Sequence, residues 1–458
     1  MSEVNLSRSI PVKYEYDVVV CGGGSAGCAA ALSAARQGLS VLIVEGRGQL
    51  GGTGTSGLVS HWLGGRKADG RWVVGGIFRE MSKEAKEEGI ALLPAVEEGQ
   101  KYTPHGWLLG LSHGVPFDPY AMTGYLDRKM DDNDVRVLLD TRVVDVVQDE
   151  DRVSHVIIHN KSGLQGVSAR AVVDSTGDAD VAAMCGCYYE QGREEDGAMT
   201  PVTLEVHVDN VDQDEYAEYV RTNDSPRMRE FIKEKRAEGS WTQNGDIFIC
   251  VQMTEKGVMM LNTTRVCGID GTDGESVTEG LQRGREEIEW LIGFLREHMP
   301  GFSNVRVKSI APMLGVRETR RIDGEYRLTV DELMAEKSFP DTIGYSSYGW
   351  DLADPKKPSH QPMHGQPNPE VTPIPYRIMV PRGIDNVICP GRSVSVERHV
   401  LGPLRVMAPV MAMGEGAGFA ARQVVESGLP FRDVEVSELR DGLRDSGALV
   451  DKDEVTSG

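Results

Sequence analysis

The chain has 458 residues, 40% hydrophobic and 26% charged, which is the make-up of a water-soluble globular protein with room for two or three domains. Its formal net charge of −21 argues against nucleic acid or an anionic membrane as partner, since both need a basic face. No run approaches the roughly 18 apolar residues of a spanning helix, the N-terminus lacks an apolar signal core, and seven scattered cysteines make no disulfide framework, so the cytoplasm is the expected compartment.

The first element predicted is a strand, Val18 to Cys21, running into Gly22-Gly23-Gly24-Ser25-Ala26-Gly27 and an Ala-rich helix from Cys28 to Gln37. Gly22, Gly24 and Gly27 stand at G-x-G-x-x-G spacing. The first permits a tight turn, the second lets the backbone approach a pyrophosphate, and the third lets helix and strand pack closely. Free N–H groups at the helix start, with Ser25 and Ala26, favour the anion. A second apolar run, Val41 to Val44, ends at Glu45, where a carboxylate can hold a ribose hydroxyl. Strand, helix, strand and acid in this register predict an adenine dinucleotide site. The following segment, Gly46 to Gly57, holds so much glycine that its backbone is expected to pass close to a ligand.

Arg79 to Gly89 and Asp118 to Asp131 are expected to be helices, the second opened by Pro119. Val135 to Val147 and Val153 to His159 alternate like paired strands, and Ala169 to Val173 forms a third, ending in the turn Asp174-Ser175-Thr176-Gly177-Asp178. Cys185-x-Cys187 reads as two small buried residues, since one such pair cannot complete a metal site, and no metal is expected. Beyond Met199 the texture changes: strand-like runs at Val202 to Val208, Ile247 to Gln252 and Gly257 to Asn262 sit among charged helices. The longest helix spans Ser276 to His298. Pro355 to Pro375, with His360 and His364, reads as an irregular crossing. Asn386 to Cys389 returns to buried-strand texture, and a helix over Val406 to Glu426 carries Gly414, Gly416 and Gly418, which suit close packing. Residues after Asp441 read as a polar, frayed tail.

The expected architecture is α/β. A Rossmann-like dinucleotide-binding domain, a parallel sheet with a three-stranded layer, spans 1–198 and resumes at 375–440. An α+β substrate or cap domain is inserted at 199–374, and a tail follows at 441–458.

Four blocks resemble those of FAD-dependent oxidoreductases of the glutathione-reductase-like superfamily, a family distantly related to fumarate reductase flavoproteins. They are the fingerprint with Glu45, the Val173 to Asp178 turn, Gly315-Val316-Arg317-Glu318-Thr319-Arg320-Arg321-Ile322-Asp323-Gly324-Glu325-Tyr326, and Gly391-Arg392 through Arg405-Val406-Met407 to Gly418. The resemblance implies FAD rather than NAD. It implies that Gly22, Gly24 and Gly27 cradle the pyrophosphate and that Glu45 holds the adenosine ribose. Gly51-Gly52-Thr53 would line the flavin, and the backbone around Val143 would meet the adenine. Thr176, Gly177 and Asp178 would lie near the cofactor, Gly391-Arg392 beside the ribityl chain, and Arg405 to Met407 by the pyrimidine end of the flavin. Similar proteins often carry a histidine just after the aspartate in the Tyr348-Gly349-Trp350-Asp351-Leu352 block; here Ala353 stands nearby, so no proton transfer is assigned there.

The expected activity is hydride exchange between flavin N5 and a small organic substrate bound between the domains. The alternative is a non-redox hydratase, isomerase or binding protein that keeps FAD as a structural element. Arg405 is the candidate to stabilise charge on reduced flavin, with a loop-locking salt bridge as the competing role. The Arg317, Glu318, Arg320, Arg321 cluster offers planar forks for a substrate carboxylate or forms a structural network. His399 leads the acid–base candidates, ahead of His61, His360 and His364, and His61 is also a candidate covalent flavin anchor. No built-in NADPH domain is expected, and the electron partner and a homo-oligomeric state stay open.

Overall fold

The computed structural model describes residues 4, 7–96, 113–356 and 367–456. The strand Val12–Cys21 sits in the middle of a seven-stranded sheet. Its apolar end, Val18 to Cys21, is fully buried, as a strand covered on both faces must be. It pairs parallel with Val41–Val44 on one side and with Gly163–Asp174 on the other. Arg136–Leu138 extends the parallel set beyond Val41–Val44, and Val387–Ile388 extends it beyond Gly163–Asp174. The late return of the chain to the first sheet is therefore real.

Gly163–Asp174 serves two layers. Its N-terminal half pairs antiparallel with Arg152–Asn160, which pairs in turn with Arg142–Asp149, giving the three-stranded layer. The sequence read Val135 to Val147 as one strand, and the structure corrects this. The run breaks between Leu138 and Arg142, where Asp140 takes a left-handed φ of 47°. Asp140 N–H donates to Arg47 O and Thr141 N–H to Glu45 O, each at 2.9 Å, so the loop after Glu45 holds the break open.

Helix Ser25–Arg36 packs against the long helix Met407–Ser427. A glycine inside a helix costs about 1 kcal/mol relative to alanine. Close approach compensates here: a Cβ on Gly414 would lie 2.1 Å from Ala26 O, and one on Gly418 would lie 2.6 Å from Ala30 O. Ser33 Oγ donates to Glu415 O at 2.8 Å and fixes the register of the two helices.

A second core is drawn from residues between Val202 and Leu314, with Leu58 joining it from the first lobe. Its strands Val206–Asp209, Cys250–Gln252, Met259–Leu261 and Arg306–Ile310 form a four-stranded antiparallel sheet. The strands are shorter than the apolar runs suggested. Helix Gly274–His298 lays Ile288, Leu291, Ile292 and Leu295 on this core. Tyr216, Phe248 and Phe302 meet edge to face inside it. Leu328, Phe339, Ile343, Trp350 and Ile374, by contrast, belong to the first core. We therefore propose that the inserted lobe ends near Val316, not at 374.

The C-terminal residues do not fray as expected. Val436–Asp445 is a helix with Leu439 and Leu443 buried, and Val450 and Val455 are buried beyond it. Gly76 N–H donates to Gly447 O at 2.9 Å, and Ser446 Oγ donates to Glu415 Oε1 at 2.8 Å. A thin apolar stripe within a polar composition holds this segment down. Among the described residues, no helix is long and apolar enough to cross a membrane.

Candidate functional site

The three fingerprint glycines occupy the three conformations their spacing demands. Gly22 turns with φ +102°, and a Cβ there would lie 2.4 Å from Ser175 O, so the turn presses on the end of the neighbouring strand. A Cβ on Gly27 would lie 1.9 Å from Gly22 O, which is the tight helix–strand contact. Gly24 differs from both. A Cβ there meets nothing nearer than Gly52 Cα at 4.0 Å, so this position faces open space. Gly24 is also the N-cap of the helix and supplies no side-chain hydrogen bond to its first turn. Uncapped amides beside an opening suit a diphosphate.

Other predicted residues gather around that opening. Gly51 bridges Gly24 in parallel fashion, which brings Gly52 alongside and leaves Thr53 exposed. Gly391 has φ +134°, and a Cβ there would find only the Ala26 Cβ, at 4.0 Å, so it flanks the same gap. Glu45 is buried and accepts from Gly23 N–H at 2.6 Å and Arg47 N–H at 2.8 Å. Burial pushes its carboxyl up, while those two N–H groups pull it back. Gly46 lies against Arg142, one residue before the half-buried Val143. Asp178 accepts from Arg392 Nη2 at 2.5 Å and Thr319 Oγ1 at 2.6 Å, and Gly177 abuts the Arg392 guanidinium. Behind them Asp174 is fully buried, holds Thr176 and Ala182 N–H, and is pushed up to about 6 by burial. Met407 Sδ packs at 3.2 Å from where Gly54 would carry a Cβ, and Val406 packs against Gly64. These residues fit an extended dinucleotide such as FAD: glycines open a cradle that any Cβ would narrow, and a carboxylate closes one end.

The catalytic candidates fall out differently. The Arg317, Glu318, Arg320, Arg321 block is not one clamp. Glu318, fully buried, accepts from Thr200 N–H, from Arg398 at 2.7 Å and 2.8 Å, and from Arg321 at 3.2 Å. Arg320 pairs with Asp180 at 2.8 Å, and Arg321 donates to Gly192 O. Glu318 and Arg321 thus share one structural network with Arg398, while Arg320 is held by Asp180 and by Asp178 O. Arg317 alone turns away, donating to Pro201 O and to Asn262 Oδ1. Arg405 donates through one Nη2 to Asp351 O at 2.8 Å and Asp351 Oδ2 at 2.9 Å, so the locking salt bridge exists. Tyr348 OH donates to the same Asp351 Oδ2 at 3.0 Å. His399 lies half-buried on the short turn Arg398–Val400, six residues before Arg405. His61 is buried on the strand His61–Trp62, where a Cβ on Gly114 would overlap its ring. His360 and His364 lie outside the described residues.

Sequence reasoning missed a second surface. In Val202 to Val208 the residues Leu204, Val206 and Val208 enter the second core, so Thr203, Glu205 and His207 face the other way. That polar face meets the first lobe: a His207 Nε2–Leu58 O hydrogen bond of 2.9 Å ties it to the loop that follows Gly51 to Gly57. Burial drives His207 down to about 4, which keeps the ring neutral. Asn262 and Arg265 come from the segment just after the strand Met259–Leu261 and Arg317 from the other flank, where Thr203 bridges Gly315. The strict polar–apolar alternation of Thr203-Leu204-Glu205-Val206-His207-Val208 was the available signal, since it sets an acid and an imidazole on one face.

The sequence model of a family described as FAD dependent oxidoreductase matches residues 17–443. Among solved structures, a geranylgeranyl bacteriochlorophyll reductase-like protein from Thermoplasma acidophilum aligns over 94% of this chain and 83% of its own, at 13% identity and a TM-score of 0.46. The p-nitrophenol 4-monooxygenase of Pseudomonas putida DLL-E4 aligns over 94% and 84%, at 13% identity and a TM-score of 0.47. The L-proline dehydrogenase of P. horikoshii aligns over 95% and 98%, at 14% identity and a TM-score of 0.42.

Proposed function

The chain belongs to the FAD dependent oxidoreductase family, and from that premise we propose that it exchanges a hydride between the flavin and a small organic substrate held where the two lobes meet. One observation carries this reading: the polar face of the second-lobe sheet is hydrogen-bonded through His207 to Leu58 O, directly after the Gly51 to Gly57 loop beside the dinucleotide cradle. A side-chain surface able to grip a substrate thus adjoins a backbone surface able to grip a cofactor.

Bound in the cradle, FAD would supply hydride-transfer chemistry. Gly22 to Gly27 would hold its diphosphate, Glu45 its ribose, Gly51 to Thr53 and Arg405 to Met407 its ring, and Gly391-Arg392 with Thr176 to Asp178 the chain between. Support comes from the open space at the Cβ positions of Gly24 and Gly391 and from the close approach of Gly52 to the Gly24 backbone. Arg405 has a double task in this reading: it fixes the Asp351 segment and leaves a cation at the start of helix Met407–Ser427. Neutral His207 excludes a charge from the lobe contact. Kinship with the glutathione-reductase-like superfamily and the fumarate reductase flavoproteins rests on the four motif blocks. The cytoplasm is supported by seven cysteines that are all free.

The test is anaerobic: purified protein is mixed with small organic acids, alcohols and amines while the flavin absorbance is followed. Bleaching by at least one of them is the expected result. Turnover with the flavin oxidised throughout would overturn the reading in favour of a non-redox role.

A further inference from the structure

Four arginines converge on the polar face described above. Arg317, Arg265, Arg405 and Arg227 are all half-buried there and feel one another or the same carboxylate, Asp351. Asn262 joins two of them, accepting from Arg317 Nη2 at 2.9 Å and from Arg265 Nη1 at 3.4 Å. Arg265 spends its other contacts on Thr203 Oγ1 and on the backbone oxygens of Asn262 and Thr264. Against these cations stand Asp351, already engaged by Arg405 and Tyr348, Glu287, which accepts from the Arg265 backbone N–H, and Asp246, which acts on Arg227 and accepts from Arg229 Nη1.

Glu205 is the remaining acid, and its state is unusual. It is 1% exposed, and neither carboxyl oxygen has a hydrogen-bond partner among the described residues. Arg317 and Arg265 are the charged groups that face it, and His207 shares its strand face. Burial nevertheless pushes its carboxyl well above the usual range, outweighing the pull of both guanidiniums. Arg405 Nε and Arg227 Nε are likewise buried without a partner among the described residues. Buried polar atoms in native proteins are almost always matched, so unmatched donors and acceptors converging on one patch point to a polar guest.

We propose that this patch is the seat of a small organic carboxylate, its anionic group set among Arg317, Arg265 and Arg405 and its neighbouring polar group against Glu205. Guanidinium forks bind carboxylates at two points, which suits a cluster of arginines. Glu205 in its neutral form adds a donor without repelling the anion. This inference rests on the lobe boundary being the substrate site, and it names the substrate class for it.

The experiment is calorimetric titration of the flavin-loaded protein with sodium succinate, L-malate and pyruvate, with the uncharged diamide of succinate and sodium sulfate as controls. At least one carboxylate is expected to saturate at least tenfold more tightly than both controls. Arg317→Met, accepted only if its flavin content is unchanged, is expected to weaken that binding at least tenfold. Should Arg317→Met not fold, the Glu205 arm decides. Wild-type affinity should fall as pH rises and Glu205 ionises beside the bound anion, while Glu205→Gln, which keeps a donor, should bind with a flat profile. Carboxylates binding no better than the diamide or sulfate, an Arg317→Met protein of wild-type affinity, or identical pH profiles for wild type and Glu205→Gln would each overturn the proposal. A protein that holds no flavin would break the function proposed above instead.

Discussion

The dinucleotide cradle and the polar face of the second lobe lie against each other, yet they are built by opposite means. The cradle is made of main chain. Its shape depends on glycines whose missing Cβ atoms leave the backbone exposed, so its signature is a fixed spacing in the sequence. The polar face is made of side chains from Thr203 to His207, Asn262 to Arg265, Arg317 and Arg405, which are remote in sequence and meet only after folding. A backbone site is legible because its constraint is local. A side-chain site is not, because any arginine looks alike until its neighbours are known.

This contrast yields predictions, the largest of which splits the cradle itself. Gly27→Val puts carbon where Gly22 O already stands, and the expected loss exceeds about 4 kcal/mol, read as insoluble or unfolded protein. Gly24→Val, only three residues earlier, should fold, because its Cβ points into the opening. Urea melts of the two cofactor-free proteins check this, and equal stability would erase the distinction between turn, opening and contact.

The join between the two regions should be sensitive to acid. His207 has a folded pKa of about 4 against 6.5 for the free side chain. Its neutral form is thus favoured by folding: the contribution is complete above about pH 6.5 and is lost as pH falls through 4. The expected size is about 3 kcal/mol at full effect. Unfolding free energies from pH 7 to 4, compared with His207→Gln, measure it, and parallel curves would remove His207 from the lobe contact.

Glu415 gives a test of opposite sign, confined to the first lobe. This buried acid receives Ile77 N–H at 3.0 Å and the Ser446 hydroxyl, and burial lifts it to about 7 from 4.5. A raised carboxyl stabilises the fold fully below about pH 4.5 and loses that contribution as pH climbs to 7. The effect is comparable, about 3 kcal/mol. Glu415→Gln keeps one acceptor and one donor in place, so it should flatten this part of the stability profile. A wild-type slope in that variant would contradict the assignment.

The smallest effect is expected at Arg405, on the border of the two regions. Asp351 already balances part of its charge. Arg405→Met should lower the two-electron flavin midpoint potential by about 30 mV, equivalent to about 1.4 kcal/mol. An unchanged potential with a loosened 348–353 segment would make Arg405 purely a lock.

The same division governs what could be read before the structure. Strand, turn, helix and Glu45 were legible to within a few residues, as was the late return of Val387–Ile388 to the first sheet. The single strand drawn over Val135 to Val147 was wrong because Asp140 and Thr141 bond to the loop after Glu45, a tertiary event. The frayed tail was wrong because Leu443, Val450 and Val455 are sparse within a polar composition and find their partners only in the folded lobe. The Arg317 to Arg321 block allowed either a clamp or a network, and only folding divides it: Glu318 and Arg321 join Arg398, 80 residues on from Glu318, while Arg317 faces Asn262. Glu205 and His207 stood in plain alternation, yet only the neighbouring loop gives that face a purpose.

The most direct measurement of the central claim is the absorbance spectrum of the purified protein set beside that of Gly24→Val. The wild type is expected to carry one FAD per chain and the variant none, with the two cofactor-free proteins equally folded. A colourless wild type that takes up no added FAD, or a yellow Gly24→Val, would contradict it.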